Sequence, residues 1–351
     1  MLEIKKNNKT IIYMENLIIW LNKHNVNTNN LKIVDLPNNE RGVVSAKHIK
    51  NGEYVFLIPK HLIITNKTAE QMPEINNLNK IFSQKSQTEK NIIQITVYML
   101  FAEAYEGVMD TVDWTPYFDT LPETLDHIPI FWEKELNYLK GSFLFERVKE
   151  RNKIIYEEFK VLKNEMLDFD EFSFYEYQRM RSLVSSRNFK LTINNDTVSA
   201  MVPFADMLNH SNTCQTKWSF NNKLQSYQMV AKSLIKPGDE IMDSYGIKTM
   251  DSYFMFYGFV LPDSEARVYV KTNDFSAYIV DNINETPQKI IVFNHRPDTY
   301  KHFKQFISLT DKLWETRKDF KVWVPLLDKS NREYVTVDKG DKQWYYSKLK
   351  T

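Results

Sequence analysis

An α+β fold is predicted for this chain: a β-rich core of short strands, split by a mainly helical insert and followed by a small helical C-terminal domain. Two observations predict it. Short β-rich apolar runs separated by turn residues fill the stretch from Leu31 to Thr65 and return after Ser186. Between them, from about Ala69 to Ser186, apolar residues recur at helical spacing. With 351 residues, 42% hydrophobic and 14% aromatic, the chain is long enough to bury at least one substantial core.

Taken in order, Ile12, Leu17, Trp20 and Leu21 keep rough helical spacing and predict a short amphipathic helix that packs ahead of the first strands. The runs Leu31–Val34, Val43–Ala46, Tyr54–Ile58 and Leu62–Thr65 read as a meander. Arg41-Gly42 and Asn51-Gly52 are its turns, because glycine reaches the positive φ that tight turns often require. In the insert, Ile92, Ile95, Met99 and Ala102 fall on one helical face, as do Val148, Ile155, Phe159 and Leu162. Pro116 and Pro122 disfavour a continuous helix from Trp114 to Pro122, so an ordered aromatic loop is expected there. Strands are expected again at Val198–Val202, Lys217–Phe220, Gln225–Ala231 and Glu240–Met242, followed by an apolar aromatic run from Tyr253 to Leu261. Beyond Pro262 a helix is expected from about Tyr300 to Trp314. The domains predicted are 1–68, the N-terminal helix and first part of the core; 69–186, the insert; 187–262, the second part of the core; and 263–351, an appended C-terminal domain.

Charge and cysteine content exclude several classes of function. Lys and Arg number 46 against 45 Asp and Glu, a formal net charge of +1, so no global field draws in nucleic acid or an anionic membrane. A single cysteine, Cys214, excludes an intramolecular disulfide framework and a cysteine-built zinc cluster, and suits a reducing compartment. Apolar stretches such as Leu17–Leu21 and Val55–Pro59 are far shorter than the ~20 residues of a membrane-spanning helix. Met1–Thr10 does not resemble a secretory signal. A cytoplasmic or nuclear monomer is the expectation, with neither nucleic acid nor membrane as partner.

Three separated segments carry the chemistry: Glu40-Arg41-Gly42-Val43-Val44, Phe204-Ala205-Asp206-Met207-Leu208-Asn209-His210-Ser211, and Gly238-Asp239-Glu240-Ile241-Met242-Asp243-Ser244-Tyr245-Gly246. Each alone is a weak signal; their order and spacing together resemble the SET-domain protein methyltransferases. Trp114–Pro122, Phe131–Gly141, Ser186-Arg187-Asn188-Phe189 and Phe256-Tyr257-Gly258-Phe259 narrow the resemblance to the Rubisco large-subunit lysine methyltransferase group, whose relatives modify ribosomal proteins and actin. The likeness runs from roughly Trp20 to Leu261 and fades beyond.

The resemblance implies S-adenosyl-L-methionine as cofactor, held by the Glu40, Arg41 and Gly42 turn and by Asn209 and His210, with Phe259 against its adenine. It implies Tyr245 as the catalytic residue at the transfer point. Tyr257, Trp218 and Phe189 would line a target channel, and Arg187 and Asp206 would shape its rim. A lysine amine, with a reference pKa of ~10.4, must lose a proton before it attacks, and desolvation beside a sulfonium favours that loss. Bland readings stand beside these: Arg187 and Asp206 as a structural ion pair, and Tyr257 as plain core. Asp206 and His210, four apart, mimic half a metal site, but no further ligands cluster near them and no metal is expected. The expected activity is protein-lysine N-methylation of a non-histone protein. The alternatives are a histidine methyltransferase of the actin type and an inactive SET-fold binding module. Phe189, where histidine-modifying relatives carry asparagine, favours lysine, although a shift of one residue would put Asn188 there.

Overall fold

The computed structural model describes residues 2–36, 40–105, 112–139, 143–246, 248, 250–260 and five short strands between 267 and 337; no side chain is described beyond Val260. The chain divides into two compact units. Unit one comprises Met1–Asp126 and Glu146–Gly246, and unit two His127–Phe145 and Ile247–Thr351.

Unit one opens with α1 (Leu2–Lys23), longer than its spacing predicts; Leu17, Trp20 and Leu21 are buried, while Ile12 is 53% exposed. β1 (Leu31–Leu36) and β2 (Glu40–Ser45) form an antiparallel pair. The expected turn at Arg41-Gly42 is therefore strand, and the glycine serves a close approach considered below. β3 (Tyr54–Pro59) follows the Asn51-Gly52 turn, where Gly52 takes a φ of +86°. Lys60–Leu62 forms a single 3-10 turn, and the strand after it shrinks to β4 (Ile64–Thr65).

The helices α2 (Asn66–Ala69), α3 (Leu78–Ile81), α4 (Gln87–Ala104), α5 (Thr115–Phe118), α6 (Phe143–Glu165) and α7 (Phe174–Arg187) make up the insert. Serine caps with reciprocal glutamates, Ser86 with Glu89 and Ser173 with Glu176, satisfy the free N–H groups that start α4 and α7. Instead of presenting one apolar stripe, α4 is buried almost all round, with Ile93, Val97 and Leu100 buried as well as Ile95 and Met99. Val148, Ile155, Phe159 and Leu162 of α6 are all buried, as their spacing predicts. The Trp114 stretch holds one helical turn, α5, with Pro116 in its first turn, where the missing N–H costs nothing.

β5 (Phe189–Ile193) and β6 (Asp196–Met201) form a hairpin whose turn residues Asn194 and Asn195 have φ of 49° and 72°, the geometry suited to a two-residue connection. They join β4 in a sheet of order β4-β6-β5. A second sheet of order β3-β8-β7 takes β7 (Thr216–Asn221) and β8 (Ser226–Ala231). The strand expected at Glu240–Met242 is reduced to an isolated bridge between Glu240 and Val44.

In unit two, the aromatic run after Ser252 belongs to α8 (Met250–Tyr257). Trp132 meets Phe254 edge-on at 5.5 Å. Where the sequence predicts a helical C-terminal domain, the described residues form a five-stranded sheet. Its strands are β9 (Arg267–Lys271), β10 (Phe275–Val280), β11 (Gln288–Asn294), β12 (Phe320–Pro325) and β13 (Tyr334–Val337), in the order β13-β12-β11-β10-β9. Alternation in Val268, Val270, Ile290 and Val292 explains this better than helical spacing. The helix expected at 300–314 lies outside the described residues. Among the described residues, no helix is long and apolar enough to cross a membrane.

Candidate active site

Three chain segments meet in unit one. The Asp243 N–H donates to the Asn209 carbonyl and the Ser211 N–H to the Asp243 carbonyl, each at 2.8 Å, which sets Asn209-His210-Ser211 parallel to the segment around Asp243. From the other side, the Ile241 N–H donates to the Val43 carbonyl at 2.7 Å and so ties β2 to the same segment. The Asn209 side-chain amide closes the junction, donating to the Arg41 carbonyl at 2.9 Å and to Glu240 Oε1 at 2.8 Å. Gly42 leaves room for this. A Cβ there would lie 2.7 Å from Leu36 Cδ1 and 2.8 Å from Glu240 Oε1, closer than real Cβ contacts permit. Glu40 lies in β2 with its side chain outside the described residues.

Tyr245 ends the third segment. Its N–H donates to His210 Nδ1 at 3.0 Å, so a neutral His210 ring carries its proton on Nε2. The Tyr245 hydroxyl donates to the Leu208 carbonyl at 2.6 Å, and the two rings lie 5.1 Å apart. Burial raises the Tyr245 phenol well above its ordinary range. The Arg187 charge opposes that shift, while Asp243, Asp206 and Glu240 add to it. At neutral pH this phenol keeps its proton and acts as a hydrogen-bonding group, not a base.

Asp206 anchors a polar cluster behind this junction. It lies on the 3-10 turn Ala205–Met207, entered through Phe204 at a φ of 71°, a strained value for a buried phenylalanine. Arg187 Nη1 donates to the Asp206 carbonyl at 2.8 Å and approaches Oδ2 at 3.4 Å, and the Tyr117 hydroxyl donates to Oδ2 at 2.9 Å. Burial raises the Asp206 carboxyl, against the opposing pull of Arg187, Tyr117 and Arg41. Burial also lowers the Arg41 guanidinium to about 10, helped by the like charge of Arg187 and resisted by Asp206.

An aromatic wall stands beside it. Phe189 meets Trp218 edge-on at 5.3 Å and Tyr227 at 5.3 Å, and the Trp218 and Tyr227 rings stack at 6.2 Å. Unit one thus gathers Arg41, Gly42, Arg187, Phe189, Asp206, Asn209, His210, Trp218 and Tyr245. Tyr257 and Phe259 belong to unit two, where both rings pack with Tyr253, Phe259 stacking on it at 5.3 Å. Sequence reasoning did not single out Tyr117, Tyr227, Glu240 or Asp243. Glu240 and Asp243 stood inside the motif from Gly238 to Gly246, which was the available signal. Tyr117 bonds a residue 89 positions away and gave none.

A family model described as "SET domain" matches residues 40–246. The ribosomal lysine N-methyltransferase 4 of Saccharomyces cerevisiae is 24% identical over 73% of this chain and 55% of its own length. The actin-histidine N-methyltransferase of Xenopus tropicalis is 24% identical over 74% of this chain and 45% of its own. The chain thus spans about half the length of these curated relatives. Among solved structures, the SET domain of LSMT bound to MeLysine and AdoHcy superposes with a TM-score of 0.63, at 19% identity over 86% of this chain and 72% of that one. Rubisco LSMT bound to sinefungin and monomethyllysine gives 0.62, with the same identity and coverage.

Proposed function

Because the chain belongs to the SET-domain family, we propose that it is an S-adenosylmethionine-dependent protein-lysine N-methyltransferase acting on a non-histone protein. The observation that carries this reading is the three-segment junction. A side-chain-free Gly42 and an Asn209 amide pinned between the Arg41 carbonyl and Glu240 leave main-chain groups of β2 and of Asn209-His210 side by side, as a small polar cofactor requires. Arg41, Gly42, Asn209 and His210 would hold S-adenosylmethionine, which supplies an electrophilic methyl group on a sulfonium.

The chain's own contribution is positioning. Transfer from sulfur to nitrogen is an in-line displacement that needs near-attack geometry. Tyr245, fixed through its N–H by His210 and through its hydroxyl by Leu208, presents a protonated phenol whose oxygen keeps a lone pair for weak CH···O contacts with the methyl. Phe189 and Trp218 flank the target's aliphatic stem and exclude water, and its amine must lose its proton before attack.

Two contacts favour lysine over histidine. The Asn188 amide donates to the Val184 carbonyl at 2.8 Å and to the Ser185 carbonyl at 3.3 Å, closing the end of α7, so its N–H groups are not free to donate to an imidazole. Phe189 supplies an apolar surface for an aliphatic stem. The test is to incubate the protein with radiolabelled S-adenosylmethionine and a lysate of the source organism, then hydrolyse the labelled proteins. Label in methylated lysine supports the proposal; label in methylhistidine, or none, refutes it.

Gly42→Ala is expected to push the Glu240 carboxylate off Asn209 and weaken S-adenosylhomocysteine binding by about tenfold or more, equal to ~1.4 kcal/mol. Calorimetric titration checks this. Unchanged affinity would mean that β2 does not border the cofactor.

A further inference from the structure

Asp243 stands two residues before Tyr245 and is 3% exposed. Its carboxylate accepts from the Ser244 N–H at 2.6 Å and from the Trp218 indole. Among the described residues it makes no ion pair, whereas Asp206, the other buried acid nearby, is matched to Arg187. The one cation that acts on Asp243 from a distance, Lys232, is exposed. A buried carboxylate with donors but no counter-charge is costly to keep, and a ligand that brings the missing positive charge accounts for it. A second observation points the same way. The Tyr227 hydroxyl is fully buried, has no hydrogen-bond partner among the described residues, and feels both Asp243 and Asp206.

We propose that Asp243 is a specificity-determining residue whose carboxylate receives the ε-ammonium of the incoming lysine, beside Trp218 and the Tyr227 hydroxyl, and so selects a cationic side chain over a neutral one of the same shape. The proposal rests on reading this junction as a methyl-transfer site. Burial pushes the Asp243 carboxyl up to about 6, while Ser244, Lys232 and Trp218 pull it down, so the group is ionised at neutral pH. The groups that face it are Trp218 from β7, Tyr227 from β8, Lys232 just beyond β8, His210 on the parallel segment and Tyr245 on its own. Of these, only His210 is of a residue type whose ordinary reference pKa lies near neutrality.

The test is calorimetric titration of free L-lysine into protein saturated with S-adenosylhomocysteine, with norleucine, which lacks only the ε-amine, as the neutral probe. At about pH 7.5 the wild type is expected to prefer lysine by about tenfold or more, and Asp243→Asn to reduce that preference to about threefold or less, with S-adenosylhomocysteine affinity kept. In the wild type alone, the preference should fade as pH drops from about 8 to about 5 through the Asp243 pKa, while norleucine affinity stays level. This second series decides the matter even if the variant does not fold. An equal lysine preference in Asp243→Asn, or one that is flat through about pH 6, overturns the proposal and leaves the methyltransferase reading standing. Parallel loss of S-adenosylhomocysteine affinity in Asp243→Asn overturns it too, assigning the carboxylate to the cofactor's ammonium. A wild type that binds no S-adenosylhomocysteine removes both readings together.

Discussion

Tyr245→Phe is expected to lower kcat for methyl transfer by about 10²-fold or more, with S-adenosylhomocysteine affinity within a few-fold of wild type, as for loss of a positioned hydrogen-bonding group at a reacting centre. The variant keeps the ring beside His210 and the main-chain bond from residue 245 to His210 Nδ1, because neither involves the hydroxyl. What it removes is the oxygen pinned to the Leu208 carbonyl at 2.6 Å. That carbonyl then loses a donor, at a stability cost of ~1–3 kcal/mol. Kinetics and melting therefore separate the two effects: a deep loss of kcat with a modest loss of stability is the expected pair. A kcat within a few-fold of wild type would move the reacting centre away from Tyr245.

The second large effect lies in the helices of the insert. Glu158 of α6 is fully enclosed. Arg181 Nε approaches its Oε2 at 3.0 Å and Lys85 Nζ its Oε1 at 2.9 Å, and the Tyr177 hydroxyl donates to Oε2 at 3.1 Å. Arg151 joins through Ser185, which accepts from Arg181 at 2.6 Å and from Arg151 at 2.9 Å. Glu158→Ala strands buried positive charge, and a loss of ~3–5 kcal/mol is expected, read as a lower midpoint in urea. Burial alone would raise the Glu158 carboxyl, but Arg181 and Lys85 outweigh it and hold the group below its ordinary 4.5. Its folded pKa is depressed, so its stabilisation is complete above the unfolded pKa and drains away as pH falls through the folded value. An alanine variant as stable as wild type would show that the packing of α6 against α7 does not depend on this network.

The β-rich core was legible because its strands are short, alternating and punctuated, as at Asn51-Gly52. β5 was not, since Phe189–Ile193 begins inside the Ser-Arg-Asn-Phe motif and alternates over only five residues. Tyr253–Tyr257 became helix although an apolar aromatic run carries no period of its own. Glu240–Met242 has strand composition but forms only a bridge, because its main-chain partners are shared between β2 and the Asn209 segment. At the site, the residues quoted from the three motifs were found together, since each is held by main-chain bonds that its neighbours dictate. Gly42 was singled out for a turn, whereas its lack of Cβ serves a close approach to Glu240. Tyr117 and Tyr227 could not be found from sequence, because a buried tyrosine is usually core and only distant partners give its hydroxyl a task.

On the proposed function, the junction of β2, Asn209-His210 and the segment ending at Tyr245 binds S-adenosylmethionine. Heat unfolding of the wild type and of Asn209→Ala, each with and without S-adenosylhomocysteine, tests it most directly. The wild type should gain ~2.7 kcal/mol at a hundredfold excess over the dissociation constant, and Asn209→Ala far less at the same concentration. No shift in the wild type, or an equal shift in both, would contradict the claim.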